Sequence, residues 1–310
     1  MVRVGYAQAP RAGAGVLGVV RYGGAAAGAD PGIVHIALEP VARAPVFEIW
    51  HAEDETAPLC VGDVLGTVSS QYCFGAVEIA DEAGRLLDDS VERAYRDLFL
   101  FLQQAGDFQP IRFWNYIGDI LADQDGMERY WRFNLGRERA FAALLRQERP
   151  PVATGIGCGG MRTVIYVLGA RNPAEPVENP RQISAYVYPQ RYGPASPRFS
   201  RASRHEGGTL FISGTASIVG HESRHPGNFD AQMRETLRNL DVMMRLTEEG
   251  STRDGRWAIK TYLRDGAHAA KLEAALAASL PPGTQYLHLV ADICRTDLLL
   301  EIEAVRCAVA

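Results

Sequence analysis

The chain has 310 residues and a formal net charge of −5, with 47% hydrophobic and 22% charged residues. That length suits one large domain or two medium ones, and the composition is that of an ordinary globular enzyme. The acidic balance argues against a general nucleic-acid binder, which would be basic, but a local arginine cluster could still take a small anion.

Residues 1–44 hold no recognisable landmark. "MVRVGYAQAPRAGAG" lacks the apolar stretch of a secretory leader, and the chain never runs 18 apolar residues, so neither export nor a membrane span is expected. The cysteines at 60, 73, 158, 294 and 307 form no CxxC pair and are odd in number, which points to a reducing, cytoplasmic setting. "LCVGDVLGTVSSQYCFGAVEI" (59–79) reads as strand. "DDSVERAYRDLFLFLQQAG" (88–106) reads as a helix capped by Asp88, Asp89 or Ser90 and ended by Gly106. "IRFWNYIGDI" (111–120) is a strand, and 127–147 is or contains a second helix, with Gly136 suggesting a strand-to-helix turn before it. "TGIGCGGMR" (154–162) is expected to be a turn. It resembles a phosphate loop only loosely and lacks the Lys-Ser/Thr ending. "TVIYVLGAR" (163–171) closes the first unit as a strand.

The second half repeats this order. "LFISGTASIV" (210–219) is a buried strand pair or a bent strand. In 231–250, Met233, Leu237, Leu240 and Met244 recur at helical spacing, with Asp230 as N-cap and Gly250 as the stop. "WAIKTYLRD" (257–265) is a strand, 267–280 a second amphipathic helix stopped by Pro281–Pro282, and 285–294 and 298–310 are strands around the turn "RTD". A β-α-β-α-β order that occurs twice suggests duplication. The expected fold class is therefore α/β, of the α+β type. It would have an N-terminal extension (1–44), a first half (45–175) and a second half (176–310) that carries most of the active site. His221 and His225 sit four apart in "GHESRHPGN", but the glycines and proline exclude a helix and the order is not HExxH, so no metal is expected.

The landmarks "LFISGTASI", "ETLRNLDVMM", "IKTYLRD" and "LLLEIEAV" resemble the RidA/YjgF family, which implies two RidA-like halves. The imine deaminases of that family use an arginine about fifteen residues before the position of Glu301. Tyr286 stands there instead, so deamination is not implied. Longer stretches narrow the resemblance: "RFWNYIGDI" (112–120), "RYWRFNLGR" (129–137), "ENPRQISAYVYPQRYGPASPRFSRA" (178–202) and "FISGTASIVGHESRH" (211–225) resemble the chorismatases from about residue 45 onward. Chorismatases release pyruvate from chorismate and yield either 3-hydroxybenzoate or a dihydroxycyclohexadiene carboxylate. The resemblance implies chorismate as the small-molecule substrate and no cofactor, nucleic-acid or membrane partner; a monomer rather than a trimer is expected. A catalytically silent RidA-like protein that binds a small carboxylate stays open as an alternative.

Chorismate is a dianion, and arginine forks meet carboxylates in paired hydrogen bonds. The irregular stretch around 186–202 supplies Arg201 and Arg198 as the stronger candidates, Arg191 as the weaker, and Tyr186, Tyr188 and Tyr192 as hydroxyl donors. Tyr130 and Arg137 are candidates from the first half. In "LLLEIEAV", Glu301 and Glu303 share one strand face. A carboxyl in so apolar a strand needs a partner or a function, and burial would raise its pKa toward that of a useful general acid. Glu301 is the expected acid and Glu303 a structural residue. Cys294 would face Glu301 across a hairpin centred near Asp297 and Leu298, and Gly214 would leave room for a ligand beside the backbone. In the family, this pair of positions favours the hydroxybenzoate branch, with Cys294 steering the intermediate rather than attacking it.

Overall fold

The computed structural model describes residues 1–10, 13–24, 32–81, 84–246 and 255–307. In chain order, the N-terminal segment forms β1 (Val2–Ala7), β2 (Val16–Tyr22), β3 (Ile33–Ile36), β4 (Glu39–Pro40) and β5 (Val46–Ala52). The first half follows: β6 (Ala57–Val61), β7 (Val64–Val68), β8 (Tyr72–Ile79), α1 (Leu87–Gln104), β9 (Gln109–Gly118), the short ladder β10 (Asp123–Gln124) and β11 (Met127–Glu128), α2 (Arg129–Leu144), β12 (Val152–Cys158) and β13 (Thr163–Ala170). The second half holds β14 (Glu175–Val177), β15 (Ala202–His205), β16 (Thr209–Thr215), β17 (Ile218–Val219), β18 (Glu222–Ser223), α3 (Phe229–Leu246), β19 (Arg256–Leu263), α4 (Ala269–Ala277), β20 (Gln285–Val290), β21 (Asp292–Ile293) and β22 (Leu300–Cys307).

The duplication is visible in the sheets. The first runs β6-β7-β8-β13-β9-β12 and the second β14-β15-β16-β22-β19-β20, position for position, with the same parallel pair (β9 with β12, β19 with β20) at the end. Each parallel edge is closed by a borrowed strand. β21 of the second half pairs with β12, and β4 of the N-terminal segment pairs with β20. Covering an edge in this way removes a template for unwanted pairing.

Alternation along the strands decides what each face packs against. On β22, Leu300, Ile302 and Ala304 join the core beneath α3 and α4, while Val305 and Cys307 point into a core shared by all three sheets. Glu301 and Glu303 lie on that second face, and both are buried. In α1, Leu87, Val91, Ala94, Leu98 and Phe101 recur at helical spacing and form one buried stripe.

Several expectations give way. "TGIGCGG" is mostly strand, because β12 runs parallel to β9 from Val152 to Cys158 and only the residues after it turn. Gly136 lies inside α2, where a Cβ would stand 2.2 Å from the Asp88 carbonyl oxygen; it lets the two helices approach, and Arg137 is mid-helix. α1 has no side-chain cap bond, and Asp88 and Asp89 sit in its first turn. Asn228 Oδ1, not Asp230, caps α3 by accepting from Ala231 N–H at 3.0 Å, while the expected stop at Gly250 lies outside the described residues. The segment 1–44 is not a bare extension: it builds a four-stranded sheet in the order β1-β5-β2-β3, which also takes residues 46–52 from the expected first half.

Candidate active site

The two halves meet along β12 and β16. Ala153 N–H donates to Ser213 Oγ at 3.0 Å, and Arg112 donates to the Ile212 carbonyl at 2.9 Å. Beside this seam lies a cavity of about 270 Å³, lined from the first half by Glu128, Tyr130, Trp131, Arg137 and Thr154, and from the second by residues of the 188–201 loop, β16, the turn after β21, and β22.

Glu301 lines this cavity and is only 5% exposed. Burial first, and the neighbouring charge of Glu303 second, push its carboxyl up to about 8 against the pull of Arg201, Arg112 and Arg295. Glu303 behaves in the opposite way. Burial would raise it, but Lys260 at 3.0 Å and Arg112 at 3.1 Å outweigh that and hold it down at about 2. Two carboxyls two residues apart on one strand face are therefore kept in different protonation states, one a proton reservoir and one a fixed charge.

The wall beside Glu301 is built of Gly214, Cys294 and Tyr130. A Cβ at Gly214 would stand 1.8 Å from Glu301 Oε1, so any side chain there would push the carboxyl out of its present place. In this structure the Cβ direction of the glycine is filled by the Glu301 carboxyl, and its backbone lines the cavity. Cys294 reaches the cavity by another route than a hairpin. β21 leaves for the first sheet, where Ile293 pairs with Ile156, and β22 pairs with β16 and β19. The Cys294 thiol is pushed up to about 12, by burial first and by the nearby Glu301 carboxyl second, so it is a neutral thiol rather than a nucleophile. Burial likewise pushes the Tyr130 hydroxyl well up, so it stays a donor.

Four arginines line the same cavity. Arg137, 2% exposed, donates to Asn134 Oδ1 at 2.7 Å and stacks on Phe133. Arg201, 4% exposed, donates to the Ile183 carbonyl at 2.8 Å and to the Tyr188 hydroxyl at 2.7 Å. Arg295 donates to the His221 carbonyl at 2.9 Å and lies 4.1 Å over the Tyr192 ring. Among the described residues none of these three has a carboxylate within ion-pair distance, and the Nε–H groups of Arg137 and Arg201 are buried without a partner. Arg191, at the exposed rim, does pair with Glu222. Buried guanidinium groups without a counter-charge are costly, and an anionic occupant would supply what they lack.

Of the candidates from sequence, Glu301, Cys294, Arg201, Arg137, Tyr192, Tyr130 and Gly214 come together here. Arg198 does not. Its guanidinium is bound in a fork to the Glu138 carboxylate, and it is absent from the lining, although Pro197 and Phe199 on either side belong to it. Tyr186, half-buried in a short 3-10 turn, is also absent, whereas Tyr188, expected as a donor alongside it, lines the cavity. Sequence reasoning missed Arg295, which stood in a segment read only as a turn, and Trp131 and Thr154. Among the described residues no group of three His, Cys, Asp or Glu could hold a metal ion, and His221 instead lies 2.8 Å from Arg191 and 3.1 Å from the Tyr192 hydroxyl. Among the described residues no helix is long and apolar enough to cross a membrane.

The chain is similar to several known proteins. The family model described as chorismatase FkbO/Hyg5-like, N-terminal, matches residues 48–169. A 3-hydroxybenzoate synthase from Streptomyces hygroscopicus is 35% identical over 96% of this chain and 93% of its own length. A chorismatase from Streptomyces rapamycinicus is 34% identical over 83% of this chain and 81% of its own. A chorismatase crystal structure, 27% identical, superposes with a TM-score of 0.87 over 99% of this chain and 98% of that one.

Proposed function

The chain belongs to the chorismatase family, and on that premise we propose that it converts chorismate into 3-hydroxybenzoate and pyruvate. The single observation that carries the reading is the set of arginines without carboxylate partners, Arg137, Arg201 and Arg295, around a buried carboxyl held near 8. Such a set matches a substrate with two carboxylates and an acid-labile enol ether between them. Arg201 and Arg137 bind carboxylate, and the hydroxyls of Tyr188, Tyr192 and Tyr130 supply further donors.

Glu301 gives its proton to the methylene carbon of the enolpyruvyl group. The C3–O bond of the resulting oxocarbenium ion then breaks and pyruvate leaves with its electron pair, while the ring C4 hydroxyl oxygen closes on C3 and gives up its proton. The 3,4-epoxide so formed opens at C4, its oxygen taking a proton, and loss of the C3 hydrogen as a proton leaves the hydroxyl on C3 of an aromatic ring. Aromatisation to 3-hydroxybenzoate balances with no net water, whereas the diene acid would consume one. A neutral thiol at Cys294 orders water poorly, which supports the anhydrous outcome. Both halves of one chain line the cavity, which supports a monomer as the working unit. Five free cysteines support a reducing, cytoplasmic compartment.

Incubation with chorismate and chromatography of the products tests this. Equal amounts of 3-hydroxybenzoate and pyruvate are expected. The diene acid alone would overturn the branch, and unchanged chorismate would overturn the reaction.

A further inference from the structure

Glu48 belongs to the N-terminal sheet, outside both duplicated halves, and does not line the cavity. It is 1% exposed and its carboxylate is fully engaged: Oε1 accepts from Trp50 Nε1–H at 2.7 Å, and Oε2 accepts from the Tyr22 hydroxyl at 3.0 Å and meets Lys260 Nζ at 2.5 Å. Lys260 is 1% exposed and stands directly across the β19–β22 ladder from Glu303, which it meets at 3.0 Å on the other side. Glu303 in turn takes Arg112 at 3.1 Å and the Trp114 N–H at 2.9 Å. Arg112 also donates to Thr154 Oγ1 at 2.8 Å, and that hydroxyl accepts from Gly214 N–H at 3.2 Å. The line of contacts thus ends at the glycine against which the Glu301 carboxyl lies.

The arrangement balances two buried acids against two buried bases. Lys260 is shared between Glu48 and Glu303, and while it is shared it offsets only part of the Glu303 charge that reaches Glu301 two residues along the strand. We propose that Glu48 is a positioning residue for the proton-donating step: by holding Lys260 away from full engagement with Glu303, the N-terminal sheet keeps Glu301 in its acid form. The inference rests on the reading of Glu301 as the proton donor.

Other charged and titratable groups face Glu301 and bear on the outcome. They are Arg112 from β9, Arg201 just before β15, Arg295 and Cys294 from the turn after β21, and Tyr130 from α2; Tyr262 lies across the ladder from it. All are unchanged by a substitution at Glu48. Around Lys260 itself the titratable neighbours are Tyr6, Tyr22, Tyr116, Tyr166 and Tyr262, whose hydroxyls burial pushes up, so they stay neutral.

Glu48→Gln keeps the shape and removes the charge. Lys260 then leans on Glu303 alone, the field at Glu301 becomes more positive, and its ionised form gains. The alkaline fall in kcat should move to lower pH by about one unit, the scale of a neighbouring charge, with the KM for chorismate held within about two-fold; Glu48→Asp should return the fall toward its original position. A folded Glu48→Gln enzyme whose pH profile coincides with that of the parent overturns the inference. If Glu48→Gln does not fold by circular dichroism, Tyr22→Phe is measured instead. It leaves Glu48 charged but without its hydroxyl donor, so Lys260 is drawn toward Glu48 and away from Glu303, and the alkaline fall should move to higher pH by less than about one unit; no shift, or a shift to lower pH, overturns the inference equally. Glu301→Gln, run alongside, separates the two claims. If it retains turnover, the proton-donor reading fails. If it is inactive while Glu48→Gln leaves the profile in place, only the role of Glu48 fails.

Discussion

Replacing Glu301 by Gln keeps the side chain's shape and removes its proton. The structure sets the scale of the loss. With the carboxyl at about 8, roughly nine molecules in ten hold the proton at pH 7. At an ordinary glutamate value only about one in three hundred would, so the burial of Glu301 and the fixed charge on Glu303 are worth a factor of about 300 in available acid. General acid catalysis itself contributes on the order of 100-fold to 10,000-fold, so turnover of Glu301→Gln should fall by at least about 100-fold. The sign with pH follows from the same shift. The acid form is lost as pH rises through about 8, so kcat of the parent enzyme should be flat below about 7.5 and fall tenfold per unit above about 8.5. Steady-state pyruvate release between pH 6 and 10 measures both. Near-normal turnover in Glu301→Gln, or an alkaline fall that persists unchanged in its residual activity, would refute the reasoning.

The same proton bears on stability. Glu301 holds it more tightly in the folded chain than in the unfolded one. The stability it contributes is fully present below the ordinary carboxyl range and is lost as pH rises through about 8. Melting temperatures of Glu301→Gln should therefore gain on those of the parent between about pH 5 and 8.5; a constant difference would mean the carboxyl is not desolvated. Arg201→Ala should lower kcat/KM for chorismate by about 30-fold or more, the cost of removing one partner of a desolvated charge pair. Arg198→Ala should change it by less than about three-fold, because its guanidinium is spent on Glu138 at a half-exposed site; equal losses would put Arg198 back in the cavity. Cys294→Ala opens space beside Glu301 and should divert part of the product to the diene acid, as read by chromatography; an unchanged product ratio would remove Cys294 from the choice of branch.

The duplicated order of elements was legible because both halves follow simple periodicities, such as Leu98 and Phe101 in α1 or Leu300 and Ile302 in β22. Glu301 was legible because a charge in an apolar strand asks for an explanation. What escaped depended on long-range pairing. β12 is rich in glycine and looks like a turn until β9 supplies its ladder. β21 lies two residues beyond β20 yet joins the other sheet, which no local pattern announces. Arg198 and Arg201 stand three apart in one irregular loop, and only the position of Glu138 on α2 decides which of them is drawn off to the surface. The same holds for residues 1–44, whose short strands carry no strong alternation and whose partners lie on β5 and β20.

The buried acid–base tetrad also changes what the duplication means for the gene. Arg112 comes from one repeat, Lys260 and Glu303 from the other, and Glu48 from neither. A severed first repeat would carry an arginine into its interior with no counter-charge, and a severed second repeat would carry a lysine with half of its complement. Removing one partner of a buried pair costs about 3–5 kcal/mol, a large share of the marginal stability of a domain. Neither repeat is therefore charge-balanced alone: the first needs Glu303 of the second, and the second needs Glu48 of the N-terminal sheet.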